Sequence, residues 1–348
     1  MIQYMRVRDN MVYKRRKYLK KLILASIISL YFFFLFLFYG PINSFKEFWI
    51  TSAMITKNHK YLATWIYSEE YIQKVLRNNY VSEINMISNS EDIQFKKYNL
   101  NIYRNSYEKQ ILKRGPNETL YKVISINGHG YHGFLVAIYD ASRIHLATTQ
   151  YLFKKGESIL TISEREKAII AINAGGFFDP DWNSNGAIPH GVVISNGKIL
   201  SAYKNVNMGG GFIGFTNENK LVLGKISKEE AISIGYRDAI QFGPYLIVNG
   251  KRSTIKGNGG YGIAPRTAIG QRKDGIVLFL VINGRIPSSI GADMDDLCDI
   301  MENYGAYNAA NLDGGSSSEL VINGRIINTP VAGGDKGLRD MPTFWVVK

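Results

Sequence analysis

Ala309-Ala310-Asn311-Leu312-Asp313-Gly314-Gly315-Ser316-Ser317-Ser318 is the stretch around which the remainder of the chain can be read. Just before it, Asp293-Met294-Asp295-Asp296 has the form of a helix start. Leu297, Ile300 and Met301 supply a buried stripe, and Gly305 a C-terminal stop. The chain then returns through Ala309-Ala310-Asn311-Leu312 as a strand whose end bears Asp313, an arrangement that holds a reactive group on rigid supports. Ile172-Asn173-Ala174-Gly175-Gly176-Phe177-Phe178-Asp179 repeats the pattern of apolar run, paired glycines and carboxylate. Paired glycines let a backbone turn sharply and approach a ligand closely, so both loops are expected to offer amides to anionic oxygens beside an acid.

Outward from these loops the signals are those of short strands. Val123–Ile126, Phe134–Ile138, Gly191–Ile194 and Ile276–Ile282 are β-rich runs bounded by turn residues. Asn-Gly recurs at 127–128, 196–197, 249–250, 283–284 and 323–324, and this pair favours two-residue hairpins because both residues tolerate positive φ. The spacing is irregular, which argues for recurrent hairpins and against a repeat array. The expected fold is α+β: a largely antiparallel or mixed β-sheet domain with flanking helices, preceded by an N-terminal transmembrane helix and a helical collar.

Charge and hydropathy divide the N-terminal part. Of the formal net charge of +13, residues 1–21 carry eight basic side chains against one acid. The excess is thus concentrated in one arm and is not a nucleic-acid signature. Leu22–Tyr39 follows with no charged residue, and eighteen residues at about 1.5 Å each span roughly 27 Å, close to a bilayer's apolar thickness. Basic residues before the span place the N-terminus in the cytoplasm and the rest outside, as a single-pass membrane protein. Phe38-Tyr39-Gly40-Pro41 lacks the small residues of a signal-peptidase site, so the span is read as an uncleaved anchor. The single Cys298 provides no disulfide framework.

The expected organisation is a cytoplasmic arm 1–21, an anchor 22–42, a helical collar or stalk 43–87, a polar linker 88–118 and a main domain 119–348. In the collar, Ser68 precedes Glu69-Glu70, and Tyr71, Ile72, Val75 and Leu76 recur at helical spacing. Anionic membrane lipid is the expected neighbour of residues 1–42, and envelope-biosynthesis proteins are candidate partners of the collar. His129 and His132 lie in a glycine-rich turn with no third ligand placed by sequence. Gly257-Asn258-Gly259-Gly260-Tyr261-Gly262 fits a dinucleotide fingerprint by spacing only, since Ile263-Ala264-Pro265 and no helix follows.

Further loops have the content of a site: Pro189-His190-Gly191, Gln241-Phe242-Gly243-Pro244 and Pro265-Arg266-Thr267-Ala268-Ile269-Gly270. Taken in order with the two Gly-Gly loops and with Arg339 followed by Pro342-Thr343, these segments resemble the phosphodiester glycosidase family. That family includes N-acetylglucosamine-1-phosphodiester α-N-acetylglucosaminidase and bacterial exported proteins linked to exopolysaccharide, and the resemblance covers roughly residues 120–348. It implies hydrolysis between a sugar anomeric carbon and a phosphodiester. A phosphate monoester leaves as a stable anion, so this chemistry needs less protonation of the leaving group than ordinary glycoside hydrolysis.

On that resemblance Asp313 is the base or nucleophile, and Asp179 a second acid or a metal ligand. The resemblance fixes no cofactor, and a divalent metal ion stays open. Arg266 and Arg339 are assigned to neutralise phosphate. Asn173, Gln241 and Ser316 are assigned to orient sugar or phosphate oxygens, with His190 a base or positioning donor. Gly175, Gly176, Gly314, Gly315 and Ser317 complete the expected binding loops. Glu319 and Asp340 depart from the family's usual residues, and a cell-envelope polysaccharide or teichoic-acid-like polymer is the expected substrate. The alternative is a non-catalytic envelope glycan-binding or assembly protein on the same fold.

Overall fold

The computed structural model describes residues 2–56, 59–95, 103–179, 184–203, 210–333 and 337–348, with side chains from Tyr13 onward. Three antiparallel sheets form the main domain. The largest has seven strands in the spatial order Lys251–Arg252, Tyr245–Val248, Ala306–Asn311, Arg266–Arg272, Val277–Ile282, Tyr131–Ile138 and Tyr121–Gly128. A second has the order Arg325–Ile326, Leu320–Ile322, Ile170–Asn173, Thr343–Val347 and Ile144–Thr148. In the third the order is Lys198–Tyr203, Gly191–Ser195, Tyr236–Phe242, Gly211–Thr216 and Leu221–Gly224.

The apolar run Val277–Ile282 shows why no polar alternation was visible in the central strands. Val277, Phe279 and Val281 point into a core shared by all three sheets, with Ile172, Ile213, Leu312 and Trp345. Leu278, Leu280 and Ile282 point the other way, onto Leu297, Cys298 and Met301 of the helix Met294–Asn303. Both faces of the strand are covered, so every residue is apolar. The helix starts on an Asp293 capping box with Asp296, and Gly305, at φ +79°, follows its end.

Three of the five Asn-Gly pairs form two-residue hairpins: Asn196-Gly197, Asn249-Gly250 and Asn323-Gly324 all have positive φ between paired strands. The other two differ. In the first hairpin Gly128 pairs with Tyr131, so His129-Gly130 makes the turn and Asn127 stays in the strand. Asn283-Gly284 leaves its strand without a hairpin, because Asn283 is tied to Thr329 through its side chain and to His132 through its backbone.

Residues 88–118 do not act as a separating linker. Ser88 exchanges hydrogen bonds with Leu223, Gln94 donates to the Lys273 carbonyl, and Ile93, Ile111 and Leu112 are buried. The polar composition hid a few apolar anchors, enough to lay the segment along the domain; residues 96–102 lie outside the described set.

At the N-terminus one helix, Ile2–Tyr39, contains a stretch, Tyr13–Tyr39, long and apolar enough to cross a membrane. The collar follows as the helices Asn43–Met54, Tyr61–Thr64 and Glu69–Asn78, packed around Ile50, Ala63, Ile72 and Val75. Ser68 caps the third helix by accepting from the Tyr71 amide, as its sequence predicts. Next, Tyr80–Ser82 pairs with Thr254–Lys256, and the Glu83 carboxylate accepts from the amides of Gly210 and Tyr245.

Candidate active site

Two strands, Ile170–Asn173 and Ala306–Asn311, belong to different sheets and end side by side. Their Gly-Gly loops are hydrogen-bonded to one another: the Asp313 amide donates to the Ala174 carbonyl at 3.0 Å, and Asn173 Nδ2 to the Asp313 carbonyl at 2.5 Å. Leu312 N and Gly315 N donate to the carbonyls of Thr267 and Pro265, which brings the start of the strand Arg266–Arg272 against the same loop. A cavity of about 280 Å³ opens where they meet. Asp179, His190, Arg266, Asp313, Gly314, Gly315, Ser316, Ser317, Gly176 and Arg339, all expected from sequence, line it.

Asp313 lies on the cavity wall among protein atoms. Loss of water around its carboxyl pushes its pKa up to about 6, the largest effect, against the downward pull of the Ser317 hydroxyl, the Arg339 charge and the Gly314 amide. Asp179 has a different setting. It is buried, pairs with the Arg339 guanidinium and accepts from the Ser184 amide at 3.0 Å. Arg339 also donates to Ser316 Oγ at 3.3 Å and lies over the Phe177 ring, 4.5 Å from its centre. The two acids are therefore sorted by environment, one desolvated and one ion-paired.

Other expected ligands sit behind the cavity. Asn173 is fully buried; besides holding the Asp313 carbonyl, its Oδ1 accepts from Thr267 Oγ1 and the Glu319 amide. It positions Asp313 and does not reach the cavity. Gln241 is likewise absent from the lining, and its Oε1 accepts from the Val192 amide at 2.9 Å, fixing the strand that follows His190. Gly175 gives its amide to Thr343 Oγ1. With the amides of Gly314 and Gly315 also directed at protein acceptors, the expected anion cradle of backbone N–H groups gives way to guanidinium groups as the source of positive charge.

Three arginines line the cavity, and they are unequal. Arg266 is 5% exposed, and its Nε and Nη2 donate to the carbonyls of Ala292, Tyr261 and Gly262. Burial lowers its pKa to about 10, leaving it cationic at neutral pH. These bonds to backbone carbonyls hold the loop at 261–262 and Ala292 in place. Arg339 is balanced by Asp179. Arg285, which sequence reasoning passed over as part of an Asn-Gly hairpin, is exposed at the cavity rim with φ +59°. Among the described residues its guanidinium has no ion pair. Its positive φ and its place at the rim come from the fold, so no local pattern in the sequence marks it.

The sequence profile of the phosphodiester glycosidase family matches residues 166–348. The chain belongs to that family. Among curated proteins, the SPbeta prophage-derived uncharacterized protein YomE of Bacillus subtilis (strain 168) is 30% identical over 195 residues, which is 54% of this chain and 29% of that protein. The chain therefore spans less than a third of that relative's length. Among solved structures, the catalytic domain of zebrafish N-acetylglucosamine-1-phosphodiester α-N-acetylglucosaminidase, auto-inhibited by its pro-peptide, aligns with a TM-score of 0.55 at 18% identity, covering 67% of this chain and 85% of that one. A hypothetical protein from Synechocystis aligns at a TM-score of 0.46 and 16% identity over 65% and 62% of the two chains.

Glu319 is buried beneath the Asp313 loop. Its Oε1 accepts from the Arg339 amide at 2.8 Å, while Oε2 has no hydrogen-bond partner among the described residues. Burial pushes this carboxyl up to about 8, so it is protonated at neutral pH and braces the Arg339 backbone without adding charge. Among the described residues no three His, Cys, Asp or Glu side chains gather as a metal site. At Asp179 an ion would compete with the Arg339 guanidinium. His132 is held at the Ser288 carbonyl, 3.2 Å away.

Proposed function

We propose that this chain is a membrane-anchored extracytoplasmic hydrolase that cleaves the bond between a sugar C1 and a phosphodiester in a cell-envelope glycan. The observation that carries this reading is one cavity lined by a desolvated carboxyl, Asp313, and three guanidinium groups, Arg266, Arg285 and Arg339. Arg285 is assigned to grip the phosphate, with Arg266 adding positive potential from behind. Asp313 in its ionised form attacks C1 or takes a proton from the attacking water. The C1–O bond breaks, and its electron pair leaves on the phosphate monoester, where the arginines stabilise the added charge. The Asp179–Arg339 pair and the Ser316 hydroxyl are assigned to the sugar hydroxyls.

The basic arm and the apolar stretch Tyr13–Tyr39 support anchoring with the main domain outside. A polysaccharide or teichoic-acid-like polymer suits that location and the cationic cavity. The test is release of reducing sugar from a glycosyl phosphodiester by the full chain, compared with Asp313→Asn. Turnover by the wild-type chain that is lost in the variant is expected. Binding without turnover would make the chain a glycan-binding module, and undiminished turnover by Asp313→Asn would sink the assignment.

A further inference from the structure

The collar is part of the cavity wall. Ile55, the residue that ends the helix Asn43–Met54, lines the cavity together with Tyr261 and Ala264. The contact is built, not incidental. Ser52 Oγ accepts from the Ile263 amide, Asn258 Nδ2 donates to Thr51 Oγ1, and a Cβ on Gly262 would fall 2.7 Å from the Ser52 backbone. The loop so gripped is the one whose Tyr261 and Gly262 carbonyls hold Arg266.

At its other end the collar is fixed to the last turn of the long apolar helix. Tyr67 donates to the Phe38 carbonyl, Tyr39 to the Ile66 carbonyl, and Phe38 packs edge-on to Trp49 at 4.9 Å. Beside this junction Trp65 is 81% exposed and leans on Tyr61, with Tyr39 exposed as well. Exposed aromatic rings next to the end of an apolar span are the chemistry of a bilayer interface. One twelve-residue helix, about 18 Å long, separates that interface from Ile55.

We infer that the collar holds the cavity against the membrane surface, with Ile55 and Tyr261 forming an apolar entrance, and that the substrate is a lipid-linked glycosyl phosphodiester. Its sugar and phosphate enter from the bilayer while its lipid tail stays embedded. This rests on the hydrolytic, anchored reading above and puts a lipid, in place of the sugar or polyol of a polymer, on the far side of the phosphate. An anchored enzyme gains effective concentration only toward a substrate within reach of the same membrane. An apolar wall beside a phosphate clamp, in turn, favours an apolar ester group over a sugar or a polyol.

The test uses the full chain reconstituted in phosphatidylcholine–phosphatidylglycerol vesicles and two esters of one sugar 1-phosphate, hexadecyl and methyl, with free sugar measured. The hexadecyl ester is expected to be hydrolysed at least tenfold faster at equal bulk concentration. Ile55→Asp is expected to lower the ratio of the two rates at least fivefold. Trp65→Glu, outside the cavity, lowers the hexadecyl rate and leaves the methyl rate unchanged. Equal rates on both esters, hydrolysis of the methyl ester alone, or a ratio indifferent to both substitutions overturns the inference while the hydrolytic reading stands. If neither ester is cleaved, that reading falls and takes the inference with it.

Discussion

The two Gly-Gly loops have the same grammar and opposite duties. At 313–317 the glycines bring a carboxyl into a site where it is short of water, with Gly315 at φ +62° passing 3.3 Å from the Arg285 guanidinium by the measure of an added Cβ. At 173–179 the constraint is steric, since a Cβ on Gly176 would fall 2.7 Å from the Phe242 ring, and the acid that follows is tied to Arg339. A repeated motif therefore yields one acid short of water and one paired with a cation that it positions. The difference comes from the partners each loop meets, not from its own residues.

That contrast can be broken from either side. Asp313→Asn is expected to cost roughly 10³-fold in kcat/KM toward a glycosyl phosphodiester, within the range of about 10² to 10⁴ for an acid–base group. Asp179→Asn removes the ion pair that holds Arg339, so about 10²-fold is expected, in keeping with misplacement of a positioning group. Equal losses in steady-state kinetics would erase the distinction. Because Asp313 works ionised and its carboxyl is raised to about 6, wild-type kcat/KM should climb as pH rises through about 6 and then level off. A profile already flat from pH 4.5 upward would show that burial does not tune this group.

Smaller effects sharpen the picture of what supports the loops. Asn173→Ala leaves the Asp313 carbonyl and the Glu319 amide without their partner, and a loss of about 1–3 kcal/mol in chemical unfolding is expected. Glu319→Gln keeps an acceptor for the Arg339 amide. The Glu319 carboxyl is raised in the fold, so its neutral form contributes stability below its unfolded pKa and loses that contribution as pH rises through about 8. The wild-type melting temperature should accordingly fall from about pH 4.5 to about pH 8 and level off above it, and the fall should be shallower in Glu319→Gln. Parallel melting curves for the two chains across that range would contradict the assignment.

Local pattern carried far into the fold. The Asp293 capping box, the Gly305 stop, the Ser68 cap and three Asn-Gly hairpins were legible because each depends on a few neighbouring residues. The apolar run 276–282 announced a strand for the same reason, while the cover on both its faces emerged only from the packing. The segment 88–118 was read as a tether because its few buried residues find partners only in distant strands.

What the sequence by itself determined is the kind of group present: two acidic Gly-Gly turns, a histidine turn, an arginine at a strand entry, and a charged arm ahead of an apolar helix. Tertiary structure alone decided their rank. It spent Arg266 on loop carbonyls, balanced Arg339 with Asp179, left Arg285 at the rim, withdrew Asn173 and Gln241 behind the wall, and brought Ile55 from the collar into the cavity. The physical reason is that a side chain's charge, hydration and reach depend on atoms tens to hundreds of residues away, which no spacing along the chain records.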